Sequence, residues 1–174
     1  MKTQFKTLLL GLLIVLTSCE GDDNSKSEFY TLNTTVTSNI SKGFSFKGFS
    51  FESLNIINYP NKQNTKPDFI VLAQTNETGT VLSPLLSQQD LESRFILSNT
   101  FSDYNSAKSY FDTLLTVENK TLEQSALDIK PNQVWVIKTN NGDFGKILIV
   151  ETKTEIVENN TPFAEIKFKA ERIK

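Results

Sequence analysis

The chain has 174 residues, with 18 basic and 20 acidic side chains, one cysteine and no histidine. Without histidine, Ser-His-Asp and Cys-His catalysis and the usual zinc sites are excluded, and a lone cysteine excludes an internal disulfide framework. The net charge of −2, with no basic stretch standing out, argues against nucleic acid as a partner.

The chain opens with Lys2 and Lys6 and then the apolar run LLLGLLIVL, Leu8 to Leu16. That run is too short to span a bilayer as a mature helix, and it predicts a targeting signal over residues 1–18. Leu16-Thr17-Ser18-Cys19 follows directly and resembles the lipobox of bacterial lipoproteins. The resemblance implies cleavage before Cys19 and acylation of that residue. Each buried methylene contributes about 0.8 kcal/mol, so several acyl chains anchor far better than one. An ordinary secretory signal with an incidental cysteine is the plainer alternative. Residues 1–18 hold two of the basic residues and none of the acidic ones, so the remaining 156 residues carry a charge of −4. Residues 19–28 are polar, acidic and non-periodic, which predicts a flexible tether. Its Glu20, Asp22 and Asp23 are similar to the surface-export signal of Bacteroidota lipoproteins, though a solvated linker accounts for them too. Residues 29–174 are the length of one domain.

Within that domain, Phe29 to Val36 has strand-forming residues. Phe44 to Ile57 is more strongly so, and Asn58-Tyr59-Pro60-Asn61 ends it. Asp68 to Ala73 is a short apolar run, consistent with a buried strand. Asn76-Glu77-Thr78-Gly79 predicts a turn before an extended Thr80 to Leu82. Gln88 to Arg94 is ambiguous, with a short helix among the options. Residues 102–116 predict the main helix: Ser102 can cap it, and Tyr104, Ala107, Phe111, Leu114 and Leu115 form one apolar stripe. Such a stripe ordinarily faces a core. Thr121 to Leu127 suggests a second short helix stopped by Pro131. Three strands close the chain: Gln133 to Thr139, Phe144 to Val157 and Phe163 to Ile173. They are joined by turns at Asn140-Asn141-Gly142-Asp143 and at Glu158 to Pro162. In the last strand Ala164, Ile166, Phe168 and Ala170 share one face, and charged residues share the other. The predicted class is α+β: mostly antiparallel sheet, one inserted helix and a C-terminal three-strand meander.

The stretch KGFSFKGFSF, Lys42 to Phe51, repeats five residues. An odd-length repeat in a strand puts Phe44 and Phe46 on one face and Phe49 and Phe51 on the other. A bulge at Gly48 would bring all four rings to one core. The other options are a strand buried on both faces, or rings that line a ligand cleft. A core role predicts that Phe46→Ala costs about 3–5 kcal/mol.

Three pieces together resemble the HmuY-like family of Bacteroidota outer-membrane lipoproteins. They are the lipobox, Lys66-Pro67-Asp68-Phe69-Ile70, and Val134 to Thr139 followed by Gly142, Phe144, Lys146 and Leu148. The closing strand with Phe168 fits as well. The resemblance implies a non-catalytic, lipid-anchored protein of the outer membrane, at the cell surface or on its periplasmic face. It also implies a small apolar ligand of haem or porphyrin type. The family's haem binders use two histidines, and this chain has none. Only Tyr30, Tyr59, Tyr104 and Tyr110 remain as axial ligands of the usual kinds. The candidate ligand-contacting residues are Phe44, Phe46, Tyr59, Tyr110 and Trp135. No metal-binding or catalytic set is evident; Asp22-Asp23 lies in the tether, and turn formation explains Asp143. An envelope interaction protein, such as an accessory subunit of an outer-membrane transporter without a small-molecule site, is the alternative.

Overall fold

The computed structural model describes residues 29–34, 36–39, 43–90, 92, 94–117 and 121–173. The signal segment, Cys19, the tether and the side chain of Phe44 lie outside the described residues. Ten strands and one helix follow in order: β1 (Tyr30–Asn33), β2 (Val36–Asn39), β3 (Gly43–Ser50), β4 (Asn55–Tyr59), β5 (Ile70–Thr75), β6 (Val81–Ser87), β7 (Phe95–Thr100), α1 (Tyr104–Thr113), β8 (Gln133–Lys138), β9 (Phe144–Val157) and β10 (Thr161–Ile173). Strand makes up 54% of the described residues against a single α-helix, so the class is α+β as predicted.

The main sheet has the order β1-β10-β9-β8-β7, and every pairing in it is antiparallel. Strands β8, β9 and β10 form the predicted meander, and Gly142 adopts φ 90° in the first of its turns. Strands β2-β3-β4 and β5-β6 form two smaller antiparallel sheets. Among the described residues no helix is long and apolar enough to cross a membrane.

Period-two alternation along β9 sorts the two faces of the main sheet. Ile147 and Ile149 join the principal core with Trp135, Ile137, Ile166 and Phe168, beneath Phe49, Phe51 and Phe69. Leu148 turns the other way and packs with Val134 against Ala107 and Phe111 of α1. The helix starts one residue later than predicted. Asp103, rather than Ser102, is the N-cap, its carboxylate accepting from the Ser106 amide at 2.9 Å. The helix also ends early, so Leu115 leaves the stripe and is exposed.

Two other expectations fail for tertiary reasons. Phe44 to Ile57 is not one strand: residues 51–54 turn, with Leu54 at φ 48°, and β4 folds back on β3. Thr121 to Leu127 is not a helix. Glu123 bridges Phe95 and Ala126 bridges Leu86, so the segment is spent on strand edges.

The repeat resolves without a bulge in β3. Its register with β4 runs unbroken from Phe46↔Tyr59 to Ser50↔Asn55, so Phe46 and Phe49, one from each copy, face opposite ways. Phe49 and Phe51 are buried, while Phe46 is only half-buried and packs its ring on Tyr59 at 5.2 Å. A core role for Phe46 is therefore corrected. Gly48 is small for a different reason: a Cβ there would lie 2.5 Å from Pro67 Cβ and 2.6 Å from the Phe69 carbonyl oxygen. The backbones meet at this point, with the Phe49 amide donating to Phe69 O at 2.9 Å. The register does shift elsewhere, between Lys167 and Phe168 of β10, where β9 carries the extra residue Val150.

Gly145 of β9 lies directly under the buried Phe51 ring, and a Cβ there would overlap it. Gly145→Ala is expected to destabilise by about 1–3 kcal/mol in urea unfolding, the usual range for overpacking. A neutral effect would mean that Phe51 can leave that seat freely.

Candidate functional site

A cleft of about 460 Å³ opens at the end of the main sheet where β8 turns into β9. Separate stretches of chain wall it: the turn after β3, residues 64–68, Asp90 and Arg94 before β7, residues 139–144, and the end of β10. These stretches are tied together by a buried polar network rather than by apolar packing.

Asp68 is its centre. It is only 3% exposed, and burial pushes its carboxyl above the ordinary carboxylate value. Its two oxygens accept from the backbone amides of Phe51 and Asn140, each at 2.7 Å, which pulls in the opposite direction, as does the charge of Arg94. One side chain thus joins the β3–β4 turn to the β8–β9 turn. Asn140 continues the network: its Nδ2 donates to the carbonyls of Lys66 and Pro67, and its Oδ1 accepts from Arg94 Nη1 at 2.7 Å. Arg94 is buried and pairs through Nη2 with Glu92 at 2.8 Å. Two buried atoms in this wall, Arg94 Nε and Thr139 Oγ1, have no hydrogen-bond partner among the described residues.

The chain's other arginine, Arg172, closes the far side. Its Nε donates to Phe51 O at 2.7 Å and its Nη2 to Glu52 O, so the guanidinium is held in a fixed plane. Lys66 and Asp90 pair at the rim at 3.2 Å. Among the described residues no group of three or more histidine, cysteine or acidic side chains is placed to hold a metal.

The structure does not bring the predicted ligand-contacting residues together. Phe46 and Tyr59 pair on the β3–β4 hairpin. Tyr110 sits on α1, packed on Phe101 at 5.2 Å, with its hydroxyl 2.8 Å from Ser98 Oγ. Trp135 is buried in the principal core, and its indole N–H donates to Gln133 Oε1 at 3.0 Å. It is a core residue, with its one polar atom satisfied internally. The four tyrosines do not share one site either, although Tyr104 and Tyr110 both pack on the helix cluster. Tyr30 packs on Phe49 and Phe168, where burial raises its hydroxyl pKa, and Tyr104 lies against the helix cluster.

The residues that do converge, Asp68, Arg94, Asn140 and Arg172, were not singled out as a site from the sequence. They come from four separated positions and form no local motif. One weak signal was present: the chain has only two arginines, and both line this cleft. Comparison with protein-family models, curated proteins and solved structures finds no match to this chain.

Proposed function

We propose that the chain is a non-catalytic lipoprotein of HmuY-like type, anchored in the outer membrane through acylated Cys19 and displayed at the cell surface. Its β-rich domain holds a small ligand in the cleft between the β3–β4 and β8–β9 turns. The observation that carries this reading is the preorganised wall: Asp68, Asn140 and both arginines are fixed by hydrogen bonds before any ligand arrives. Rigid placement of this kind lowers the ordering cost of binding. A volume of about 460 Å³ falls within the usual range for small-molecule sites.

The wall also revises the ligand. A porphyrin needs a broad apolar slot, whereas this cleft is lined by amides, carboxylates and guanidinium groups. A polar ligand suits it better. The test has two arms. Cys19→Ala is expected to move the protein from the membrane to the soluble fraction and to abolish labelled-palmitate incorporation; unchanged fractionation would refute the anchor. The purified protein is expected to leave the haemin Soret band unshifted. A shift lost in Tyr59→Phe or Tyr110→Phe would restore a tyrosine-ligated haem. If no small molecule binds, a transporter-accessory role with no such site takes its place.

A further inference from the structure

We infer that the cleft recognises a neutral, hydroxyl-rich ligand, a saccharide, through its fixed arginine and asparagine side chains. The inference rests on the cleft being the ligand seat proposed above.

The charge at the cleft disfavours an anion. Lys66, Arg94 and Arg172 line the cleft, and so do Glu52, Asp68, Asp90 and Asp143. Most of these charges are already engaged. Lys66 pairs with Asp90 and Arg94 with Glu92, while both oxygens of Asp68 hold backbone amides. Arg172 spends its Nε and one Nη2 hydrogen on carbonyls. No excess of positive charge remains to attract a free anion, and the acidic side chains at the wall would repel one.

The hydrogen-bonding groups at the cleft favour hydroxyls. The wall presents donors and acceptors on planar groups, namely the two guanidinium groups and the amides of Asn64 and Asn141, beside Asn140, whose Nδ2 is held by the Lys66 and Pro67 carbonyls. A hydroxyl donates once and accepts twice, so a row of hydroxyls matches a mixed wall where a carboxylate, acceptor-only, does not. Arg94 Nε and Thr139 Oγ1 lie in the same wall, buried and without a partner among the described residues, so its hydrogen-bonding capacity is not used up there. The half-buried Phe144 and Ile173 add apolar surface suited to the C–H face of a sugar ring.

Two arginines give a direct readout. In a 15N-labelled sample of the mature protein in detergent, the Nε–H region holds two resonances, assigned with Arg172→Lys. Probes are neutral trisaccharides built from glucose, galactose, mannose, xylose or N-acetylglucosamine, with succinate and triglycine as the charged comparisons. At least one trisaccharide is expected to shift both resonances saturably. Asn141→Ala is expected to weaken that binding at least tenfold with an unchanged melting temperature, because the Asn141 side chain is exposed at the cleft. Shifts with succinate or triglycine but no saccharide would overturn the inference and leave the cleft as a ligand seat. Undiminished binding by Asn141→Ala would also overturn it. If no probe moves either resonance, the inference falls and the ligand-seat reading falls with it.

Discussion

Phe49→Ala is expected to remove about 3–5 kcal/mol of stability, the range for truncating a fully buried aromatic ring. Phe49 is fully buried, and four rings surround it: Tyr30 at 4.8 Å, Phe51 at 5.2 Å, Phe168 at 5.2 Å and Phe69 at 5.5 Å. Three of these contacts are edge-on, the arrangement favoured by the ring quadrupoles. These neighbours come from β1, the β3–β4 turn, β10 and the stretch before β5. A cavity at Phe49 therefore loosens the seam between the small sheets and the main one, and rigid strand backbones on several sides limit its collapse. Domains of this size have a total stability of about 5–15 kcal/mol, so the loss is a large share of it. Phe46→Ala is the control. It is the same substitution in the neighbouring copy of the repeat, on the opposite face, and loses mainly a half-exposed contact with Tyr59 worth about 0.5–1.5 kcal/mol. Urea unfolding of both variants checks the pair. Equal losses would mean that the two copies share one core.

That contrast marks where sequence reasoning reaches its limit. The two-fold period of strands is local, and it correctly split the repeat into two faces. Which face meets the core is not local. It depends on Phe69 and Phe168, which lie 20 and 119 positions beyond Phe49. The closing meander was legible because alternation and the Asn-Gly turn act within a few residues. The helix was legible because its stripe recurs every three or four positions. Thr121 to Leu127 misled for the opposite reason: its apolar spacing suits a helix, but open edges at Phe95 and Leu86 claim its amides and carbonyls. Strand β7 was missed because Phe95–Thr100 shows no alternation, and its buried end is defined by pairing with β8 and with the distant Glu123. The cleft was illegible for the same physical reason. Asp68 is an ordinary residue before a short apolar run until the turn at Asn140 donates to it across 72 positions.

Lys146→Met is expected to cost about 2–4 kcal/mol, on the scale of losing charged hydrogen bonds to buried acceptors. Lys146 points away from the principal core, on the α1 face of β9, and is only 2% exposed. Its ammonium donates to Phe111 O at 2.5 Å and Leu114 O at 3.0 Å, and it lies 4.6 Å from the centre of the Phe111 ring. Phe111 O lies in the last turn of α1, where the Leu114 amide reaches it at 3.4 Å, and Leu114 is the C-cap residue, so both carbonyls sit at the end of the helix where amide donors run out. The positive charge also sits at the negative end of the helix dipole. The pair with Glu171 at 3.2 Å is secondary, because that carboxylate is about two-fifths exposed and largely screened by solvent. Methionine keeps most of the apolar stem, so the measured cost isolates the lost donors from any cavity. Glu171→Gln is therefore expected to cost under about 1 kcal/mol. Amide exchange separates this account from a general loss of stability. In Lys146→Met, the amides of Tyr104–Thr113 should exchange faster relative to those of β9 and β10, because a buried anchor of the helix end to the sheet is lost. Uniform acceleration across helix and sheet, or a stability equal to that of the unmodified chain, would show that α1 is held by Ala107 and Phe111 alone.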